Sequence, residues 1–288
     1  MQFIYKIPGY ILILFGAFCL SWGGYIVRSF EEASVWQILF LRSFFFLFAV
    51  TFFLLVTYKN NTIKVIKKSG FSAVLGGLVM SLSFVAFVIA ITNTTVANVV
   101  FIISTQTMFL AIFAFIYLRE KVSLLGGFSI FLAMSGVTIM VGDSISSGGL
   151  FGNLVALAIP INFSILVMII RKNSNLDMIP AIFYSGVFSC IYGLFLSESF
   201  MYSSHDIFMG FLLGGLQLAL GFICITIGSR TTSSVTIGLL MLVETMCGPL
   251  WVWLFINEVP PISVILGGFI IVIAIILKSF DRKVTVNN

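Results

Sequence analysis

The chain has 288 residues, of which 60% are hydrophobic and 9% charged, and its mean hydropathy is +1.19. Soluble domains carry about 25% charged residues and need a solvated exterior, so the composition excludes a soluble fold and makes a bilayer the solvent for most of the surface. The net charge of +5 has a topological explanation, given below, and no basic patch points to nucleic acid.

Charge-free stretches mark the elements. Asp, Glu, Lys and Arg are absent from 7–27, 69–118, 122–142, 144–170, 178–197, 207–229 and 259–277. A spanning helix needs roughly 20 mostly apolar residues, so the stretch 69–118 is read as two spans divided at Thr92-Asn93-Thr94-Thr95. The expected spans are 7–27, 34–57, 70–91, 95–117, 122–141, 150–171, 179–197, 207–228, 233–255 and 260–278. Loops this short hold no separate domain. A β-barrel is disfavoured, because Phe109–Leu118 is apolar all round where barrel strands alternate. The first span has only Lys6 before it and no small-residue cleavage site after a short core, so it is expected to be retained.

Ten spans put both termini on one side. If that side is cytoplasmic, the inner segments carry Lys6, Lys59, Lys64, Lys67, Lys68, Arg119, Lys121, Arg171, Lys172, Arg230, Lys278, Arg282 and Lys283, against Arg28 alone outside. That asymmetry orients the chain in an inner (cell) membrane with cytoplasmic ends. A miscounted span would reverse every later loop and destroy the bias.

The two halves can be superposed in sequence. Leu75-Gly76-Gly77-Leu78 matches Leu213-Gly214-Gly215-Leu216, and the same offset places Phe84 on Phe222, Thr94 on Thr232, Gln106 on Glu244 and Glu120 on Glu258. A nearby offset places Arg28 on Arg171 and Phe40 on Phe183. The unit is five helices, 1–144 and 145–288. Since five is odd, the second unit enters the membrane from the opposite side, as in the inverted repeats of many secondary transporters.

Several segments resemble motifs of a known family. They are Ser21-Trp22-Gly23-Gly24, Leu41-Arg42-Ser43-Phe44, the stretch Ala90–Val141 with Thr95, Ala97 and Leu118-Arg119-Glu120-Lys121, and in the second half Val243-Glu244-Thr245 and Asn257-Glu258. Together with the repeat and the span count, they make the chain similar to the EamA-type members of the drug/metabolite transporter superfamily over nearly its whole length. Thr107 and Thr245 stand where that family usually has Pro, and Pro249 falls four residues later. The resemblance implies an all-α, ten-helix bundle around a central solute cavity, working by alternating access.

Polar side chains within spans are the place to seek function. At 1.5 Å per residue, about ten residues separate an interface from mid-depth. Arg42, Gln106, Asn162, Gln217 and Glu244, from five different spans, fall near that level and suggest one polar cavity. Glu244 is the candidate for a solute cation or a coupling proton, and Arg42 for a carboxylate; the alternative is that the two pair with each other or with backbone carbonyls. Trp251 and Met241 share the helical face of Glu244, and an aromatic beside a carboxylate suits an ammonium group; plain packing is the competing reading. Trp22 is a gate or an interfacial belt residue. Gln106, Asn162 and Gln217 could equally be interhelical hydrogen-bond partners. Pro160 and Pro249 are candidate helix breaks.

No constellation for catalysis appears. His205 is the only histidine, Cys19, Cys190, Cys224 and Cys247 are scattered, and no Gly-x-x-x-x-Gly-Lys-Ser/Thr loop encodes ATP use. The reading is therefore a transporter without cofactor or metal. Its solute is a small polar, amino-acid-like metabolite, driven by a proton or counter-solute gradient, in a monomer or dimer. The rival reading is a membrane scaffold or sensor.

Overall fold

In the computed structural model the described residues are 2–94, 96–142, 149–256 and 262–280. Among them the regular structure is helical throughout. Seven stretches are long and apolar enough to cross a membrane: Gly9–Arg28, Val35–Ala90, Asn98–Leu118, Leu150–Lys172, Ile179–Leu196, Ser204–Ser229 and Ser234–Phe255. Leu124–Ile139 and Ile265–Ser279 are shorter apolar helices. The protein is an all-α membrane protein. The ten spans expected from the sequence are not each met by this length criterion. A single 56-residue helix would be ~84 Å long, nearly three times the hydrocarbon core. The stretch Val35–Ala90 instead turns back on itself at Lys59–Asn61.

In chain order, a 3-10 turn (Gln2–Lys6) leads into α1 (Gly9–Leu20) and α2 (Gly23–Arg28). Next come α3 (Val35–Tyr58), α4 (Thr62–Asn93), α5 (Val96–Ser104), α6 (Gln106–Leu118) and α7 (Leu124–Gly142). The second half has α8 (Leu150–Ala156), α9 (Ala158–Lys172), α10 (Ile179–Leu196), α11 (Ser204–Gly210), a π-helical segment (Phe211–Leu218), α12 (Ala219–Ser229), α13 (Ser234–Ile256) and α14 (Ile262–Ser279). α10 lies against both α3 and α4, the π segment against α3, α1 against α12 and α13, α6 against α9 and α13, and α7 against α14.

The breaks have local causes. At the end of α1, the Ser21 hydroxyl donates to the Phe18 carbonyl at 2.6 Å, taking the acceptor that the Trp22 amide would use in a continued helix. Ser104 and Thr105 do the same to Phe101 and Ile102, and α5 gives way to α6 there. Pro160 lies in the first turn of α9, where its ring is incompatible with the carbonyl four residues earlier, and the chain breaks at Leu157. α13 runs from Ser234 to Ile256 without interruption, so the break expected near position 249 does not occur.

Both ends of the bundle are tied by polar groups, buried at one end and half-buried at the other. At one end Asp206, fully buried, accepts the amides of Glu31, Glu32 and Ala33, and Gln37 both completes the capping box of α3 and donates to the Ser199 and Met201 carbonyls. At the other end Tyr5 and Tyr58 both donate to Asp177. There too Arg171 pairs with Glu120, whose second oxygen accepts the Ser234 amide at 3.3 Å.

Candidate functional site

Four helix irregularities hold four of the expected site residues. Trp22 occupies the α1–α2 break, Gln106 opens α6, Asn162 follows the α8–α9 break by one turn, and Gln217 belongs to the π segment. Irregular backbone at membrane depth is tolerated where protein or a cavity satisfies it, and π segments often mark functional sites.

The α1–α2 break is the best-defined centre. Gln217 is buried, and its Nε2 donates at 2.7 Å to the Leu20 carbonyl, which the break leaves free. Gln217 Oε1 is enclosed without a partner. From the other side, Trp251 Nε1 donates at 2.7 Å to Ser21 Oγ. The Trp251 and Trp22 rings stack with centroids 3.9 Å apart, 21° from parallel, and Phe18, Tyr25 and Phe255 complete the aromatic group. Met241 is buried in the main apolar core.

Glu244 lies one helical turn before Gly248 and two before Trp251, on the face of α13 that meets the α1 break. It is half-buried, and among the described residues it has neither a hydrogen bond nor an ion pair. Gln106 is buried and its side chain likewise has no hydrogen-bond partner among the described residues; the adjacent Thr107 fixes α6 to α13 by donating to the Gly238 carbonyl at 3.0 Å. Asn162 is half-buried on α9.

Arg42 is placed differently. Its Nη2 donates to the Phe84 carbonyl at 3.2 Å, and its guanidinium lies over the Phe84 and Phe87 rings at 5.1 and 5.6 Å. Its Nε is enclosed and unpartnered. Among the described residues the only ion pair is Arg171 with Glu120, so Arg42 and Glu244 do not pair. Of the alternatives open for Arg42, the one adopted is a backbone carbonyl. Of the family-like motif positions, Thr95, Asn257 and Glu258 lie outside the described residues.

Residues 7–142 match the model of the EamA-like transporter family. The match spans just under half of the chain, and over these residues the chain resembles the EamA-like transporter family. Over 300 aligned residues it is also 25% identical to an uncharacterized transporter of Clostridium kluyveri, covering 96% of this chain and 94% of that one. A solved crystal structure superposes with a TM-score of 0.79 over 95% of this chain and 99% of the other, at 12% identity, a likeness of fold.

The structure adds partners that the sequence alone did not assign. Ser21 was legible only as part of Ser21-Trp22-Gly23-Gly24; its role as acceptor for Trp251 joins residues 230 positions apart. Phe84 was legible as a repeat position, yet its carbonyl and ring are what hold Arg42. Glu120 and Arg171 each stood out as motif or topological charges, and their pairing depends on α6 meeting α9.

Proposed function

We propose that this EamA-like protein is a secondary transporter that moves a small polar, amino-acid-like metabolite across the inner membrane by alternating access, with both termini cytoplasmic. The observation that carries the reading is Glu244, a carboxylate at mid-span with no partner among the described residues, on the helix face that meets the α1 break. Insertion scales charge about 2.5–3.5 kcal/mol for an acidic side chain at a helix centre, so a carboxylate kept there without a structural partner fits a role with solute ammonium or a coupling proton. Trp22, Trp251 and Met241 would wall that position. Gln106, Asn162 and Gln217 would supply hydrogen bonds, and the unpartnered Nε of Arg42 would take up a solute carboxylate. A proton or counter-solute gradient would drive the cycle.

Alternating access requires two units able to exchange roles, which we assign to 1–144 and 145–288, five spans each and inverted. Helix packing supports this. α4 meets α10 through Gly77, while the π segment, its counterpart, meets α3 through Gly214. α1 packs on α12 and α13 as α8 and α9 pack on α4 and α6. The matched residues Phe84 and Phe222 touch each other, as residues near a two-fold axis must.

The deciding experiment is flux of a metabolite panel into proteoliposomes. Wild type should carry at least one solute along an imposed gradient and Glu244→Gln should abolish that flux. Unchanged flux in Glu244→Gln removes Glu244 from the site. The packing of Arg42 against Phe84 and Phe87 supports a second reading, in which the buried polar groups only fix the bundle of a scaffold or sensor; absence of flux across a broad metabolite panel would favour it.

A further inference from the structure

The end of the bundle that carries Lys59 has four lysines within ten residues, Lys59, Lys64, Lys67 and Lys68, all exposed. The sequence contains no Asp or Glu between Glu32 and Glu120. The two carboxylates that the structure places at this end are both engaged: Asp177 by Tyr5, Tyr58 and the Ile179 amide, Glu120 by Arg171 and the Ser234 amide. Among the described residues, then, these lysines have no protein anion to answer them.

The backbone places them at a membrane surface. α4 is interrupted at Gly70, whose φ of 59° and ψ of −154° lie in a region essentially reserved for glycine. The remaining part of α4, from residue 71 to 93, is ~34 Å long and spans the hydrocarbon core unaided. Residues 62–69 are therefore left outside that core, bent away by the glycine. They are not a loose tail. Thr62 donates to the Leu54 and Lys59 carbonyls, Thr62 and Ser69 are buried, and Ile66 packs on the apolar core. The opposite face of this short helix presents Ile63, Lys64, Lys67 and Lys68. Ile63 and, just past the bend, Phe71 are 67% and 78% exposed. Apolar side chains that dip into the acyl boundary beneath a row of ammonium groups are the composition of an interfacial helix.

We infer that residues 62–69 form a membrane-surface helix whose lysines, with Lys59 in the turn before it, bind the phosphates of anionic phospholipid headgroups in the adjoining leaflet. The surface is separate from the mid-span site, and transport by Glu244 is not needed for it. Anionic lipid would hold the bend at Gly70 and with it the end of α3, so its binding should register as stability of the whole protein.

The test is thermal unfolding of the full-length protein in nanodiscs of phosphatidylcholine, with and without phosphatidylglycerol. Wild type should melt several degrees higher with the anionic lipid, an effect lost near 1 M NaCl, where the screening length falls to about 3 Å. The variant K64Q/K67Q/K68Q should lose most of the rise, and K64R/K67R/K68R should keep it. An equal rise in the glutamine variant would overturn the proposal. So would inorganic phosphate reproducing the rise in pure phosphatidylcholine, which would assign the lysines to a soluble anion. Should the glutamine variant fail to assemble, association of spin-labelled lipids with wild type decides. A preference for phosphatidylglycerol of at least roughly threefold supports the surface, and no preference refutes it.

Discussion

Phe84 and Phe222 hold matching places in the two halves of the sequence, and their rings meet edge to face with centroids 5.7 Å apart and planes at 78°. Phe46 packs on both, at 5.7 and 6.3 Å, and Arg42 lies over the outer face of Phe84. This aromatic group joins α3, α4 and α12. Truncating either phenylalanine to alanine should cost about 3–5 kcal/mol. In a double-mutant cycle, Phe84→Ala and Phe222→Ala should show a coupling of about 0.5–1.5 kcal/mol, read from unfolding in detergent. Additive losses would mean that the rings touch without a specific energetic link.

The Trp22–Trp251 stack depends on one hydrogen bond for its register. Trp251→Phe keeps an aromatic ring against Trp22 and removes the N–H that Ser21 accepts. The expected loss is about 0.5–1.5 kcal/mol of stability. If these rings wall the solute, the Michaelis constant for flux should rise while the maximal rate changes little. A purely structural stack would lower stability and leave the Michaelis constant alone.

The helical, membrane-spanning character was legible in the sequence, because hydropathy answers to the bilayer directly. The division at Thr92–Thr95 falls where α4 ends and α5 begins. What was not legible was direction around each helix and the identity of partners. Whether Arg42 faced Glu244 or a carbonyl depended on how closely α3 approached α4. The breaks at Ser21 and Thr105 carry only a hydroxyl as signal, and the same residues elsewhere back-bond within unbroken helices, as Ser129 and Ser189 do. The π segment has no composition that distinguishes it from α12.

Close approach of backbone is testable at Gly214. A Cβ there would lie 2.0 Å from the Arg42 carbonyl oxygen and 2.9 Å from the Phe46 amide nitrogen, and neither backbone atom can move without unseating α3. Gly214→Ala should cost at least the ~1–3 kcal/mol typical of overpacking and reduce the yield of folded protein. Gly24→Ala is the control. Nothing lies within 4 Å of a Cβ at that position, and alanine is the better helix former by about 0.5–1 kcal/mol, so that variant should be as stable as wild type or more so. Equal behaviour of the two would show that α3 and the π segment do not pack as closely as described.

Tyr5 lies in the 3-10 turn ahead of the first span and donates to Asp177 Oδ2 at 2.6 Å. Burial first, and then the Asp177 charge, raise its pKa well above the ordinary value of 10.0. A raised pKa means the folded protein keeps a proton that the unfolded chain gives up. The contribution is therefore whole below about pH 10, the unfolded value, and is lost as pH rises beyond it. Wild-type melting temperature should decline above that pH more steeply than that of Tyr5→Phe, which lacks the titrating group. Parallel declines would show that Tyr5 is not held by Asp177.

Glu120 joins three helices at the same end of the bundle: it follows α6, pairs with Arg171 at the end of α9 and accepts the Ser234 amide at the start of α13. Side-chain exposures of 17% and 10% place the pair between a solvated ion pair, worth under about 1 kcal/mol, and a fully buried one. Removing either charge should therefore cost about 1.5–3 kcal/mol, the range for hydrogen bonds to charged groups. The exchanged pair, Glu120→Arg with Arg171→Glu, restores the attraction but turns a donor toward the Ser234 amide, itself a donor. Recovery should thus be partial, the shortfall being the amide bond. If the exchange recovers full stability, Ser234 contributes nothing and Glu120 is a two-helix clamp; if it recovers none, the pair is not formed in the bilayer.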